Sequence, residues 1–185
     1  DSGWGEFATE VYRFCRDSKH KRLLVPTKGF GITPMKRPLV DPEKKRQPRS
    51  NVFGQWRFTP TNINTWLLTY DTNFWKSKID RFLRVTTGSK SALTLFGGKS
   101  RGRKPDHRMI AEQLVSEKPT WLEAQNRRVE IWTLIGGRDN HFLDCLVGCA
   151  ALAHTAGCKL PSAKTSIRPD TPEGGRKRKK RRFTF

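Results

Sequence analysis

Acid is what this 185-residue chain is shortest of: 17 Asp and Glu stand against 37 Lys and Arg, a formal net charge of +20. An excess of that size points away from cationic partners and toward a polyanion, nucleic acid first and an anionic membrane surface second. The charge is not confined to one end. Seven bases lie in the last ten positions, and +20 less those seven still leaves +13 on the body. Cysteine is scarce too, four in all. Three of them (Cys145, Cys149, Cys158) fall in or just after one helical stretch, which excludes a secreted disulfide framework and reads as buried thiols in a reducing compartment. Their spacing, even with His154 added, is not that of a zinc knuckle or ribbon. No apolar run reaches the roughly eighteen residues of a spanning helix and no secretory signal pattern appears, so no membrane segment is expected. No Gly-x-x-x-x-Gly-Lys-Ser/Thr loop occurs, which excludes a nucleotide-hydrolysing motor of that type within these residues. The length suits one domain with a real core.

What is present is organised around Arg138 to Ala153. Gly136-Gly137 breaks the preceding segment, Asp139 is placed to cap a first turn, and a helix over 139–156 follows, ending at Gly157. Leu143, Leu146, Val147 and Ala150 recur at helical spacing as its core face. Asp144, Gly148 and Ala151 form an adjacent stripe of small residues, suited to close approach on a sheet. Asn140 and His141 lie one turn before Asp144 and share its neighbourhood. A carboxylate on so apolar a helix costs several kcal/mol unless it is paired or metal-bound. Both readings stand: an ion pair to one of the many arginines, or a ligand.

The rest of the chain reads as α/β. It opens at Asp1-Ser2-Gly3-Trp4-Gly5 without a methionine, as a fragment or trimmed chain would. Glu6 to Ser18 is an amphipathic helix with Phe7, Val11, Phe14 and Cys15 on one face. Leu23 to Thr27 is a short buried strand. Residues 30–51, with Pro34, Pro38, Pro42 and Pro48 among Lys36, Arg37, Lys44, Lys45, Arg46 and Arg49, form a basic excursion that is mobile unless a partner orders it. Val52 to Phe58 and Trp66 to Tyr70 alternate as strands, with Trp56, Phe58, Trp66, Leu68 and Tyr70 on one side. Asp71-Thr72 then opens a helix burying Phe74, Trp75, Ile79, Phe82 and Leu83, with Asp71 as its N-cap in preference to a metal ligand at a strand end. Leu93 to Phe96 is a further short strand, and Gly97 to Pro105 a basic turn. A helix from His107 to Glu117 stops at Pro119. Trp121–Ala124 and Val129–Leu134 pair around Gln125 to Arg128. Residues 160–175 are rich in Pro, Thr, Ser and Gly, and the chain closes on the run Arg176 to Arg182, expected to be disordered alone.

Asp1-Ser2-Gly3, the helix after it, the strand ending at Lys28-Gly29, Tyr70-Asp71-Thr72 before a helix, and Asn140-His141-Phe142-Leu143-Asp144-Cys145, in that order, resemble the nuclease domain of the large terminase subunit of lambda-type tailed bacteriophages. The resemblance covers roughly residues 1–155. It implies a ribonuclease H-like mixed sheet flanked by helices, here lacking its first strands, with 1–158 as the C-terminal part of the nuclease domain and 159–185 as a basic tail. It implies a metal-dependent endonuclease that cuts concatemeric double-stranded DNA during genome packaging in the cytoplasm of the infected host, next to an upstream ATPase domain and with the small terminase subunit and portal as partners. Three acids holding two Mg²⁺ or Mn²⁺ ions are implied: Asp1 as the middle acid, Asp144 as the last, and the first on a strand upstream, with Asp71 as a further candidate ligand. Hard divalent ions prefer carboxylate oxygen to thiolate, which suits Asp1 and Asp144 and not Cys145 or Cys149. Asn140 and His141 are candidate supporting residues. Lys28, Lys44, Lys45, Arg46, Arg101, Arg103, Lys104, Arg176, Lys177, Arg178, Lys179, Lys180, Arg181 and Arg182 are the candidate DNA contacts. A non-catalytic basic nucleic-acid-binding protein, or another ribonuclease H-like nuclease or recombinase, would share much of this pattern.

Overall fold

A computed structural model of the chain describes residues 7–41, 48–98 and 106–159. The elements in order are α1 (Ala8–Asp17), β1 (Thr27–Phe30), β2 (Ser50–Asn51), β3 (Trp56–Pro60), β4 (Trp66–Asp71), α2 (Thr72–Leu83), α3 (Arg108–Leu114), β5 (Glu117–Ala124), β6 (Arg127–Leu134) and α4 (His141–Thr155). Four strands make a mixed sheet in the order β1-β4-β3-β2, with β1 parallel to β4 and the β2–β3–β4 meander antiparallel. The strands β5 and β6 form a separate two-stranded hairpin.

Period-two alternation decides which face of the sheet is covered. On β4, Leu68 and Tyr70 point to one side, and the register sets Phe58 and Trp56 of β3 beside them. The helices α2 and α4 lie on that side, closing a core of Leu68, Tyr70, Trp75, Ile79, Phe82, Leu143, Val147 and Ala151. Trp75 is wholly buried and donates its indole N–H to the carbonyl of Gly54 at 2.9 Å, so even its polar atom is satisfied. Truncating such a side chain to alanine costs about 3–5 kcal/mol.

Several elements differ from the sequence expectation, each for a local reason. The first strand begins at Thr27 rather than Leu23. Pro26 cannot donate to the ladder; its carbonyl accepts from Leu68 N–H at 3.0 Å just ahead of the strand, while Leu23 is exposed. The stretch read as one strand over 52–58 is two short strands separated by a turn, in which the Asn51 side chain accepts the Gly54 N–H at 2.8 Å. The excursion after β1 is not a loose loop in its described part. Ile32, Leu39 and Val40 bury themselves against Phe30 as a second small core, Asn73 of α2 donates to the Ile32 carbonyl at 2.8 Å, and Arg127 of β6 donates to the carbonyl of Lys36 at 2.6 Å. Residues 42–47 lie outside the described set.

Leu93 to Phe96 is not a strand. Leu93 packs on the core, but Leu95 and Phe96 are exposed and no described strand pairs with them. The helix expected to reach Glu117 stops at Leu114, and Pro119 sits inside β5. An edge strand tolerates it because no neighbour needs its missing N–H. The hairpin turn is Gln125-Asn126 alone, both at positive φ (51° and 58°), the backbone of a two-residue primed turn; Arg127 and Arg128 already belong to β6. The apolar face of α1 is also largely bare: Cys15 is buried, but Phe7 is 72% and Phe14 66% exposed. Helical periodicity states which side chains share a face, not that something covers it.

The helix α4 is where the sequence placed it, with a different start. Asp139 does not cap it. Asn140 occupies the cap position without a side-chain cap bond, and the free Phe142 N–H is instead met by Gln113 Oε1 of α3 at 3.0 Å. Its end is a Schellman turn: Gly157 at φ 88°, with Cys158 N–H bonded to the Ala153 carbonyl and Gly157 N–H to that of His154, both at 3.0 Å. Among the described residues no helix is long and apolar enough to cross a membrane.

Candidate functional site

Asp144 leaves the buried face of α4 toward the seam between α2 and the hairpin. Its partner there is a lysine, not an arginine. Nζ of Lys76 donates to Asp144 Oδ1 at 2.9 Å and to Glu117 Oε1 at 2.5 Å. The same Glu117 oxygen accepts Asn140 Nδ2 at 2.7 Å. Three elements thus meet at one polar knot: α2 through Lys76, β5 through Glu117 and α4 through Asn140 and Asp144. The side chains of Lys76 and Glu117 are 7% and 3% exposed, whereas that of Asp144 keeps 34%. The knot is dry at its back and open at Asp144.

Such burial is expensive. Charges removed from water are compensated only by close geometry and full hydrogen bonding, and removing one partner of a buried pair costs about 3–5 kcal/mol. Here one ammonium serves two carboxylates and an amide braces one of them. Glu117 Oε2 remains buried without a hydrogen bond among the described residues. The net charge of Lys76, Glu117 and Asp144 together is −1.

Tyr70 adjoins this cluster from the sheet. A Cβ placed on Gly148 would lie 3.4 Å from the Tyr70 hydroxyl and 3.6 Å from Thr27 Oγ1, so the small residue one turn after Asp144 is what lets α4 approach β1 and β4. Burial, reinforced by the negative charge of Asp144, holds the Tyr70 phenol at about 12, and it stays neutral at working pH. Asp71 follows Tyr70 on β4, and strand alternation turns it to the other side. There it caps α2, accepting Phe74 N–H at 3.1 Å, and burial pushes its carboxyl up.

His141 stands exposed at the first turn of α4. Lys28 lies in β1 with its ammonium 5.6 Å from the Phe30 ring. Asp1, Lys44, Lys45, Arg46, Arg101, Arg103, Lys104 and the run Arg176 to Arg182 lie outside the described residues. Cys145, Cys149 and Cys158 are exposed rather than buried; Cys15 alone of the four is buried. His154 spends its Nδ1 on the Trp56 indole, accepting at 2.9 Å.

Lys76 and Glu117 were not singled out from the sequence. A signal existed for Lys76: it falls on the same helical stripe as Trp75, Ile79, Phe82 and Leu83, an anomalous cation among apolar positions. Glu117 carried none, because it sits at a helix-to-strand junction whose position was misread.

Among the described residues no group of three His, Cys, Asp or Glu side chains is placed to hold a metal ion. What the knot offers is one partly exposed carboxylate in an all-oxygen setting, backed by an orphaned carboxylate oxygen. That donor chemistry fits a hard divalent cation, provided further oxygen ligands come from outside the described residues, where Asp1 lies.

Residues 1–165 match the family model described as terminase large subunit gpA, endonuclease domain. No curated protein sequence and no solved structure matches the chain.

Proposed function

Because the chain belongs to the family of terminase large subunit gpA endonuclease domains, a nuclease family of phage DNA packaging, we propose that it hydrolyses the backbone of concatemeric double-stranded DNA in a divalent-metal-dependent reaction. The observation that carries this reading is the match over residues 1–165. The exposed, braced carboxylate of Asp144 supports it. Asp144 and Asp1 are the residues we assign to Mg²⁺ or Mn²⁺, within a ribonuclease H-like arrangement of sheet and helices. Two such ions supply charge stabilisation at both the attacking water and the leaving 3′-oxygen of a phosphodiester.

The chain's own residues have distinct tasks in this reading. Asp144 presents a hard oxygen on a helix fixed at both ends. Tyr70, held neutral, adds no charge beside it. Asn140 braces the cluster through Glu117, and His141, exposed on the first turn, is placed to meet phosphate or water. The body charge of +13, with Lys28, Lys44, Lys45, Arg46, Arg101, Arg103 and Lys104 as candidate contacts, draws in duplex DNA, and the run Arg176 to Arg182 adds sequence-independent affinity. An upstream ATPase domain, the small terminase subunit and the portal are the proposed partners, and the host cytoplasm the proposed location.

One observation favours a competing reading: the ion pair to Lys76 would by itself account for Asp144 in a non-catalytic nucleic-acid-binding protein. Metal dependence separates the two. Duplex DNA incubated with the large subunit should be cut in Mg²⁺ or Mn²⁺, remain whole in chelator, and be cut again on restoring the ion. Binding without cleavage under all three conditions supports the non-catalytic reading.

A further inference from the structure

We infer that Lys76 is a positioning residue for Asp144, a buried tether that holds one carboxylate oxygen from behind and leaves the other for a divalent cation. The inference rests on the metal-dependent reading above and adds residues which that reading does not use.

The argument is the closed circuit around Asp144. Asn140 and Asp144 are joined through the helix, Asp144 N–H to Asn140 carbonyl at 3.0 Å. Asn140 Nδ2 holds Glu117 at 2.7 Å, Glu117 holds Lys76 at 2.5 Å, and Lys76 returns to Asp144 Oδ1 at 2.9 Å. Each link is tied to a separate element of the fold, so no member can turn without breaking a bond in a dry environment. A half-exposed aspartate would otherwise sample several rotamers; this one has its rotamer set from the interior.

Charge explains why the tether need not repel the ion it prepares for. Glu117 cancels Lys76, so an approaching cation meets the same net −1 that Asp144 alone would present. A lysine without Glu117 would leave the pair neutral and abolish the attraction. Glu117 is therefore the residue that makes a cationic tether compatible with a metal ligand. A purely stabilising bridge has no need to keep Asp144 at 34% exposure while its two partners are almost completely covered. Residues that orient a ligand in this manner contribute roughly 10- to 100-fold to metal affinity.

The test has two independent parts. The first uses the wild-type chain. The ¹⁵Nζ resonance of Lys76 is followed as Mg²⁺ is added. It should shift, with the midpoint of metal binding, because the ammonium touches the carboxylate that takes the ion. A resonance unmoved at saturation overturns the inference. The second compares Mn²⁺ affinity and melting temperature of wild type, Asp144→Asn and the double variant Lys76→Met/Glu117→Gln. The double change removes tether and buried countercharge together, preserving the net −1 and an acceptor for Asn140. It should melt close to wild type yet bind Mn²⁺ about tenfold more weakly. Binding equal to wild type in the double variant, with loss in Asp144→Asn, overturns the tether alone. Binding unaffected in Asp144→Asn, or absent from the wild type, overturns the metal reading and the tether with it. Should the double variant fail to fold, the lysine resonance decides.

Discussion

Trp56 donates its indole N–H to Nδ1 of His154 at 2.9 Å, joining β3 to the last turn of α4 across 98 residues of chain. The Trp75 ring meets the same imidazole edge-on at 5.6 Å. Together with the Lys76–Glu117 knot at the other end, this fixes α4 on the sheet at both of its termini. The metal-ligand assignment needs that: Asp144 is only as well placed as the helix that carries it.

The bond makes stability depend on pH in a known direction. Nδ1 accepts a hydrogen, so His154 must be neutral at that atom, and burial holds its pKa below the ordinary value of 6.5. A histidine whose folded pKa is depressed contributes fully above the unfolded value, and the contribution is lost as pH falls below about 6.5 toward the folded pKa. The melting temperature should therefore drop on acidification through that window, and by less in His154→Gln. Equal acid sensitivity in both would show that another group governs the drop.

Gly54 is required for the same contact. A Cβ there would lie 2.5 Å from Trp56 Nε1 and 2.8 Å from His154 Cε1, closer than real Cβ atoms come. Gly54→Ala must displace the Trp56–His154 pair or the turn that carries the carbonyl bonded to Trp75. We expect a loss of about 1–3 kcal/mol, as for other overpacked sites, measured by denaturant unfolding. Unchanged stability would mean the turn yields freely.

Asp71 should behave as a cap. Asn caps nearly as well as Asp, and burial disfavours the charge that Asp71 carries at neutral pH. Asp71→Asn is expected to leave stability unchanged or slightly raised near neutrality, whereas Asp71→Ala loses the bond to Phe74 N–H and costs about 1 kcal/mol. A carboxyl whose folded pKa is raised lowers stability as pH rises through that pKa, so the gain in Asp71→Asn should vanish in acid. Thermal melts at both pH values check the sign.

What could be read from the sequence followed from chemistry held within a short stretch. The α4 helix, the Asp71 cap and the shared face of Trp56, Phe58, Leu68 and Tyr70 each rest on local periodicity or a single side-chain bond, and all are present. The misread parts depended on partners distant in sequence. Nothing near Asn140 announces that Glu117, 23 residues earlier, would take its amide and leave the cap of α4 to Gln113. Lys76 and Glu117 are 41 residues apart, and an ion pair of that span leaves no periodic trace. The thiols of Cys145 and Cys149 illustrate the converse: an apolar helix suggested burial, but the face they occupy is exposed.

The basic run Arg176 to Arg182 should act through phosphate charge. Each phosphate neutralised adds about 0.9 to the slope of log K against log salt on duplex DNA, so deleting residues 176–185 should flatten that slope by several units. Binding measured across a salt series checks this. An unchanged slope would assign the run to a protein partner instead.

The most direct test of the whole account is the cleavage rate of Asp144→Asn in the full-length large subunit, measured with DNA binding on the same preparation. The substitution keeps the shape, removes the charge, and leaves the basic surface intact. Loss of one ion from a two-metal site should lower the rate about a thousandfold or more, ~4 kcal/mol at about 1.4 kcal/mol per decade, while duplex DNA is bound as tightly as by wild type. Equal cleavage by Asp144→Asn and wild type in Mg²⁺ or Mn²⁺ would contradict the assignment of Asp144 to the metal site.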